Sequence, residues 1–237
     1  MSRRFFFSCL LATTFACGGS IYMPSRAANF EPDGETQIDD HDVQKAFEAK
    51  PQWNEHFNVA YFDFDASKDA DVDKALRAVP GVGAVYSIPA LEATGHHRFD
   101  ETPTSAPLGM KKLRLLAARA HCDLLVVVDY ARKTDVSANA LAAFDVLIVP
   151  ALFLPFRDVT VESAVDAFVV DVRNGYLYGH VSLSKKDVAP HQTIYADDDA
   201  LAARQWSAIS AELKDALVAL ATSERRGASA GANVGGT

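Results

Sequence analysis

Three aspartates follow predicted strands and could hold a metal ion. Asp63 and Asp65 lie at the carboxyl end of one strand, and Asp129 lies near the same end of a later strand. Ligands of open α/β sheets gather at such ends, and carboxylates there can bind Mg²⁺. The same residue type is typical of turns, where it accepts hydrogen bonds from nearby amides. We favour the turn interpretation and keep a metal-dependent hydrolase as an alternative function.

Two further groups of residues resemble reactive motifs less well. His96 and His97, with Asp100 and Glu101, could offer metal ligands, but adjacent side chains point apart on a regular backbone and no second cluster stands at ligand spacing. The stretch 182–185 (SLSK) has the spacing of a Ser-x-x-Lys nucleophile, which requires a helix where the pattern predicts a strand. We therefore predict no catalytic residue, no cofactor and a protein that is not an enzyme.

The amino terminus carries an export signal. Residues 1–4 are a short basic head, residues 5–16 are mostly apolar, and the run ends at Cys17. This layout is typical of a secretory signal peptide and is too short for a permanent spanning helix. The cysteine after a small residue resembles a bacterial lipoprotein signal, in which it is acylated and begins the mature chain. An ordinary cleaved signal is the alternative, and the arginine pair leaves both the twin-arginine and the general export route open.

Acylation of Cys17 would determine where the protein resides. A diacylated cysteine with an additional N-acyl chain exceeds the two hydrophobic signals that stable anchoring requires. We therefore predict a protein of the cell envelope with the lipid bilayer as a partner. Gly18 after the cysteine favours the outer membrane, facing the periplasm, and leaves the inner membrane open.

The mature chain is acidic and has few cysteines. Without Arg3 and Arg4, 21 basic side chains stand against 31 acidic ones, a formal charge of −10. Such a surface repels phosphate backbones, which excludes nucleic acid as a partner. Cys122 has no other cysteine to pair with if Cys17 is acylated. It stands between a helical pattern and an apolar run, so we predict a buried and inert thiol.

Alternating periodicities predict a β-α-β-α-β core. Strands are indicated by β-branched and aromatic runs, and helices by apolar residues spaced three and four apart. The predicted elements are a strand at 57–64, a helix at 69–79 capped by Asp69 and Asp71, a strand at 82–88, a helix at 108–121 and a strand at 124–130. This alternation favours a parallel sheet with helices packed on it.

The pattern changes after residue 130. Two strand-like runs, 159–172 and 176–183, are joined by Asn174-Gly175, which is typical of a type I′ hairpin. A final helix at 199–226 carries an apolar stripe. The predicted fold class is therefore mixed α/β, with an antiparallel hairpin after the core and a carboxyl-terminal helix packed on the sheet.

Two regions are predicted to flank a single domain at 57–226. Residues 17–56 are polar and broken by prolines, which is typical of a flexible linker, with one short helix at about 40–50. A flexible stretch of this kind spans roughly 30–35 Å. The tail at 227–237 has little apolar area to bury and is predicted to be disordered.

The segment 144–156 is the most apolar part of the mature chain. Its thirteen residues and internal prolines exclude a spanning helix. It could form a buried strand with a bend, the simpler choice, or project as a loop that contacts lipid or another subunit. The contact residues would then be its large apolar ones: Phe144, Leu147, Ile148, Leu152, Phe153 and Phe156.

The stretch 159–179 (VTVESAVDAFVVDVRNGYLYG) resembles a group of envelope lipoproteins with a domain similar to the amino-terminal domain of TolB and to the curli-secretion lipoprotein CsgG. In that group a strand ending in Asp-Val meets a turn with Gly and a second strand with an aromatic residue. The corresponding residues are Asp171, Val172, Gly175, Tyr176 and Tyr178. The lipidated start and the stretches 58–62 and 123–130 are similar to the rhombotarget lipoprotein family. The group often has Trp where this chain has Tyr178.

The resemblance implies a non-enzymatic role in the envelope and supplies no catalytic residues. We expect a membrane-anchored, periplasm-facing lipoprotein that acts as a binding or assembly module, with an envelope protein or a second copy as partner. The likeness to CsgG implies a secretion-pore subunit as a further alternative.

Overall fold

The structure, a computed structural model, describes residues 20–23, 30, 40–94, 108–138, 157–191 and 198–234. Its strands are β1 (Ser20–Met23), β2 (Phe57–Asp63), β3 (Val82–Ser87), β4 (Leu124–Ala138), β5 (Arg157–Asp171) and β6 (Leu177–His191). Its helices are α1 (Asp40–Glu48), α2 (Asp69–Arg77), α3 (Ala90–Thr94), α4 (Met110–Arg119) and α5 (Asp198–Val234), with a 3-10 turn at Ala66–Lys68.

Five strands form a mixed sheet in the order β3-β2-β4-β5-β6, and β1 pairs with β4 beside them. β2 runs parallel to both β3 and β4, whereas β5 is antiparallel to β4 and β6 is antiparallel to β5. The helices between the parallel strands supply the crossover connections that this pairing requires. The predicted fold class is confirmed, including the carboxyl-terminal helix packed on the sheet.

Helices cover both faces of the parallel core because its strands are apolar on both sides. α2 and α5 pack on one side, which we call the α5 face, where Val126 shares a core cluster with Ile209 and Leu213. α3 and α4 pack on the other, the α4 face, where Leu125 shares a cluster with Leu113. Neighbouring residues of β4 thus serve two separate cores.

β4, β5 and β6 are each fifteen residues long and extend beyond the parallel core. β2 pairs with β4 only as far as Val128, whereas β5 pairs with β4 as far as Ala138. We call this extension, residues 129–138, 157–166 and 182–191, the ribbon. The apolar run alone predicts an end at residue 130. The strand continues because its antiparallel partner satisfies the backbone groups, and one face of such a ribbon can remain in water.

α5 is longer than predicted and covers one face of the ribbon. Leu201 and Ala202 belong to a small core cluster with Val159 and Val161. The helix continues to Val234, so residues 227–234, beyond the predicted helix end at 226, are helical. Alanine, the residue with the highest helix propensity, occupies three of these positions.

The cap predicted for α2 is wrong. The N-cap residue is Lys68, which makes no side-chain cap hydrogen bond, rather than Asp69 or Asp71. The preceding 3-10 turn leads directly into the helix, so no extended residue stands where a capping side chain would act. The Asp71 carboxylate instead accepts a hydrogen bond from the indole of Trp206 at 2.6 Å and ties α2 to α5.

The hairpin between β5 and β6 is present, but its turn is not type I′. The connecting loop has five residues, and Gly175 takes a positive φ of 77° whereas Asn174 does not. A type I′ turn requires positive φ at both positions. The Asp171 carboxylate organises the loop, because it accepts hydrogen bonds from the Arg173 amide at 2.8 Å and the Tyr178 hydroxyl at 2.9 Å.

The packed region extends on the amino-terminal side of Phe57. Trp53 contacts Phe57 and Tyr178 edge-on, with ring centroids 4.7 and 5.0 Å apart, and the Gln52 amide donates a hydrogen bond to the Tyr178 hydroxyl. β1 also belongs to the sheet, so the predicted flexible linker includes segments that are held by the domain. The short helix predicted within it is confirmed as α1, which buries no residue.

Within the described ranges, no helix has both the length and the apolar character that crossing a bilayer requires.

Candidate functional site

A groove lies on the α4 face where the parallel core meets the ribbon. It has a volume of about 290 Å³ and is open to solvent. Its lining comes from three long strands, the end of β2 and the amino-terminal segment: Phe30, Phe64, Val127, Asp129, Asp166, Phe168 and His180. We call it the Asp129 groove. It lies beyond the carboxyl end of β2, the region in which open α/β sheets bind ligands.

The two-residue period of the strands places the lining side chains on one face. Val127 and Asp129 of β4 stand opposite Phe168 and Asp166 of β5. On the next strand, His180 stands opposite Phe168. The residues between them in sequence point to the α5 face, so the same strands that build the core also build the groove.

Two carboxylates face each other at the centre of the groove. Asp129 and Asp166 are direct cross-strand partners, and like charges in this position destabilise a sheet unless they are compensated. His180 Nε2 lies 3.0 Å from Asp166 Oδ1, within hydrogen-bond distance of that carboxylate. Asp129 Oδ1 is buried and has no hydrogen-bond partner among the described residues. A buried carboxylate oxygen without a donor is costly, so Asp129 is the group that needs a partner.

Aromatic rings stand on either side of these carboxylates. Phe30 meets Phe64 edge-on with centroids 5.6 Å apart, and Phe64 meets Phe62 in the same way at 5.0 Å. On the other side the His180 ring stacks on Phe168, with centroids 4.5 Å apart. The groove therefore combines negative charge with aromatic surface.

The three aspartates of the alternative metal-site interpretation do not converge. Asp63 stands beside Val128, so its side chain points to the α5 face, whereas that of Asp129 points to the α4 face. Asp63 Oδ1 accepts a hydrogen bond from the Asp65 amide at 2.9 Å, and Asp65 Oδ1 accepts one from the Ser67 amide at 3.1 Å. These are turn interactions. In the described part of the chain, no group of three or more His, Cys, Asp or Glu could hold a metal ion.

The Ser-x-x-Lys stretch lies within β6. Side chains three residues apart on a strand point to opposite faces, so Ser182 and Lys185 cannot act on one substrate atom. Lys185 Nζ forms an ion pair with Glu212 Oε1 of α5 at 2.6 Å. The strand predicted for this stretch is confirmed.

Cys122 is buried beneath α4, as predicted. It belongs to the core cluster of the α4 face. Burial, assisted by the charge of Asp123, raises the pKa of the thiol to about 11. The predicted burial is confirmed, and a thiol with a raised pKa is a poor nucleophile at neutral pH, as expected of an inert cysteine.

Several predicted residues lie outside the described part of the chain. They are Cys17, the loop residues His96, His97, Asp100 and Glu101, and the apolar residues Phe144, Leu147, Ile148, Leu152, Phe153 and Phe156. Acylation of Cys17 and a partner contact by the apolar segment therefore stay predictions. The residues that flank this segment are described: Ala138 and Arg157 are paired at the end of the ribbon.

The sequence does not single out three residues of the groove. Asp166 and Phe168 share a face because they are two apart in a strand, and that alternation is visible in the sequence. His180 joins them only through the register of the hairpin, which the predicted turn type places incorrectly. No local signal marks these residues as a group.

The α5 face of the ribbon holds a second polar cluster. The Ser163 hydroxyl donates to Gln205 Oε1 at 2.8 Å, and Gln205 Nε2 donates to the Val161 carbonyl at 2.8 Å. The Tyr130 hydroxyl lies 3.2 Å from Ser163 Oγ. Ser163 and Gln205 are 0% and 1% exposed. This cluster attaches α5 to the ribbon and is closed to ligands.

No protein-family model matches this chain, and no curated protein matches it. Among solved structures it is similar to the lipoprotein GNA1162 of Neisseria meningitidis, with 15% identity and a TM-score of 0.35 over 67% of this chain and 99% of that one. It is also similar to the hypothetical protein CT253 of Chlamydia trachomatis, with 14% identity and a TM-score of 0.35 over 69% and 99%. Likenesses this distant do not indicate what this chain binds.

Proposed function

We propose that the protein is a lipid-anchored, periplasm-facing protein of the cell envelope that acts as a non-enzymatic binding or assembly module. The observation that carries the proposal is the pairing of β1 with β4, in which Ser20 stands opposite Asp135. Because the strands are antiparallel, the amino-terminal end of β1 at Ser20 faces the same end of the ribbon as Ala138. Cys17 is three residues before Ser20 and so lies within about 11 Å of it.

From this register we infer that the predicted anchor and the apolar segment share one end of the molecule. The segment connects Ala138 to Arg157 at the end of the ribbon. An acylated Cys17 would hold that end at the membrane, which favours a lipid- or partner-contacting loop over a buried strand. The ten-residue ribbon would then hold the Asp129 groove up to about 30 Å from the bilayer. The reach predicted for a flexible linker does not apply, since β1 follows Cys17 so closely.

The partner classes that we propose are the bilayer, an envelope protein and a second copy of the chain. β6 is an edge strand whose outer side no described strand covers, and such edges can accept a partner strand. Lys185, Lys186 and Pro190 lie along it and limit unspecific pairing.

The metal-dependent hydrolase is not proposed further, because Asp63 and Asp129 point to opposite faces. A secretion-pore subunit stays a prediction, which ring-shaped oligomers in detergent would support and a strictly monomeric extract would contradict.

Mass spectrometry tests the anchor directly. We expect the amino-terminal peptide of protein purified from its native membrane to begin at Cys17 and to carry acyl chains. An unmodified peptide that begins elsewhere would contradict the anchor.

Membrane fractionation tests the contact made by the apolar segment. Salt-washed membranes are compared for Cys17→Ala, for a variant with serine at the six large apolar residues of 144–156, and for their combination. We expect the serine variant to stay bound through its acyl chains and Cys17→Ala to be partly released, because the apolar segment alone binds reversibly. The combination should be released completely. Leu177→Ser with Val188→Ser is the matched control, since both residues are exposed on β6 at 53% and 58%. If Cys17→Ala is retained on the membrane equally with and without the serine changes, the proposed contact between the apolar segment and the membrane is wrong.

A further inference from the structure

We propose that the Asp129 groove binds an arginine side chain presented by a partner polypeptide. The inference goes beyond the anchoring function and does not depend on it. It rests on three properties of the groove: its unmatched negative charge, its aromatic walls and its opening towards the β6 edge.

Charge complementarity identifies the occupant as a cation. Two carboxylates stand opposite each other, and among the described residues His180 lies within hydrogen-bond distance of Asp166. Lys133, on the same face of β4, is engaged further along the ribbon by Asp135 at 2.9 Å. The buried oxygen of Asp129 receives no hydrogen bond from the described residues. A positively charged donor entering from outside satisfies this oxygen and separates the two carboxylates electrostatically.

The aromatic walls distinguish arginine from other cations. A guanidinium is planar, stacks on aromatic rings and donates two parallel hydrogen bonds to a carboxylate, whereas an ammonium is a compact and strongly hydrated charge. Phe64 and Phe168 line the groove beside Asp129. A divalent cation fits less well, because the described residues offer no set of three protein ligands.

The groove can be entered by a long side chain from the edge of the sheet. Asp166 and His180 are 46% and 42% exposed, whereas the Asp129 Oδ1 atom is buried. A side chain entering beside β6 would pass Asp166 before its head group reaches Asp129. This path suits a partner segment laid along β6, whose outer side no described strand covers.

Titration of the full-length lipoprotein in a neutral detergent tests the inference. The probe is the blocked peptide Ala-Ala-Arg-Ala-Ala, compared with the same peptide carrying citrulline, a neutral isostere, or lysine. By calorimetry we expect the citrulline peptide to bind about tenfold more weakly, because a charge-assisted pair of hydrogen bonds is lost. The lysine peptide is expected to fall between the two.

Asp129→Asn is the decisive variant, and Asp135→Asn is its matched control. Both changes remove one negative charge from the same face of β4, but only Asp129 lines the groove. We expect Asp129→Asn to weaken the arginine peptide about tenfold and Asp135→Asn to change its affinity by less than about twofold. Asp166→Asn is a second groove variant with the same expected direction, and thermal unfolding verifies that each protein is folded.

Three results would overturn the inference. The first is equal affinity for the arginine and citrulline peptides, or equal losses in Asp129→Asn and Asp135→Asn. The second is binding of Mg²⁺ or Ca²⁺ that depends on Asp129 and displaces the peptide. The third is a gain in peptide affinity after Arg26→Gln, which would identify the chain's own arginine, four residues before Phe30, as the occupant. Failure of the Cys17 experiments leaves these outcomes unchanged, because the peptide is supplied in solution.

Discussion

The two faces of the ribbon differ in whether their buried polar groups have hydrogen-bond partners. On the α5 face, Ser163 and Gln205 are fully buried and each finds its hydrogen-bond partner within the fold. On the α4 face, no described helix covers the ribbon, and the buried oxygen of Asp129 is left without a donor. A covered polar group must be satisfied when the chain folds. A group in an open groove can be satisfied later by a ligand, so the uncovered face is the one that can retain binding chemistry.

The largest effect is expected from Gln205→Ala on the covered face. The change removes two hydrogen bonds, leaves Ser163 and the Val161 carbonyl with one partner fewer, and opens a cavity under α5. We expect the free energy of unfolding to fall by about 3 kcal/mol, measured by urea unfolding. Ser184→Ala, on the exposed face of the ribbon, is the control and should change it by less than about 0.5 kcal/mol. Similar losses in both variants would remove the contrast between the faces.

A second test on the covered face is Tyr178→Phe. The hydroxyl donates to the Asp171 carboxylate at 2.9 Å and accepts from the Gln52 amide at 2.9 Å. Burial, with the hydrogen bond to Asp171, raises the pKa of this hydroxyl, so it stays protonated at neutral pH. We expect a loss of about 2 kcal/mol in unfolding free energy because Asp171, itself 1% exposed, loses a donor. Tyr176→Phe in the adjoining loop is the matched control, and an equal loss there would contradict the assignment.

The opposite sign is expected on the uncovered face. Asp129→Asn removes a like-charge pair and supplies a donor, so we expect the free protein to become more stable by about 1 kcal/mol. Asp135→Asn, which breaks an ion pair between exposed groups, should lower stability slightly or not at all. A destabilised Asp129→Asn protein would mean that Asp129 is satisfied in the native fold. Addition of saturating arginine peptide should reduce the difference in unfolding free energy between Asp129→Asn and the unchanged protein.

The smallest effect on stability at neutral pH is expected for Cys122, which lies in the part of the α4 face that α4 covers. The pKa of the thiol is raised from 9.0 to about 11, so the unfolded chain loses this proton before the folded one. Its stabilising contribution is complete below pH 9 and is lost as the pH rises towards 11. At pH 8 we expect iodoacetamide to modify Cys122 about a hundredfold more slowly in the native protein than in urea, as quantified by peptide mapping. Equal rates would show that this part of the face is open as well.

The core was predictable because its signals are local. The apolar stripe of α4 and the continuous apolar run of β4 each fall within a few turns or residues, and both elements appear where the pattern places them. Boundaries were less predictable. The strands continue as the ribbon because a partner strand that is distant in sequence forms hydrogen bonds with the backbone groups of their more polar ends.

The groove was not predictable because it depends on register. A two-residue turn at Asn174-Gly175 would pair His180 with Val169, whose side chain points to the α5 face. The longer loop and a bulge near Val170 pair His180 with Phe168 instead. A shift of one residue moves a side chain to the other face of a sheet. This step, which no motif signals, brings His180 to Asp166.

Composition and periodicity were sufficient to determine the mixed α/β class, the order of the elements from β2 to α5 apart from α3, and the burial of Cys122, because each depends on residues close together in sequence. The tertiary structure decided which face each aspartate points to, the partner of His180 and the pairing of β1 with β4. These features depend on strand register between distant segments, where backbone hydrogen bonds and side-chain packing are made together.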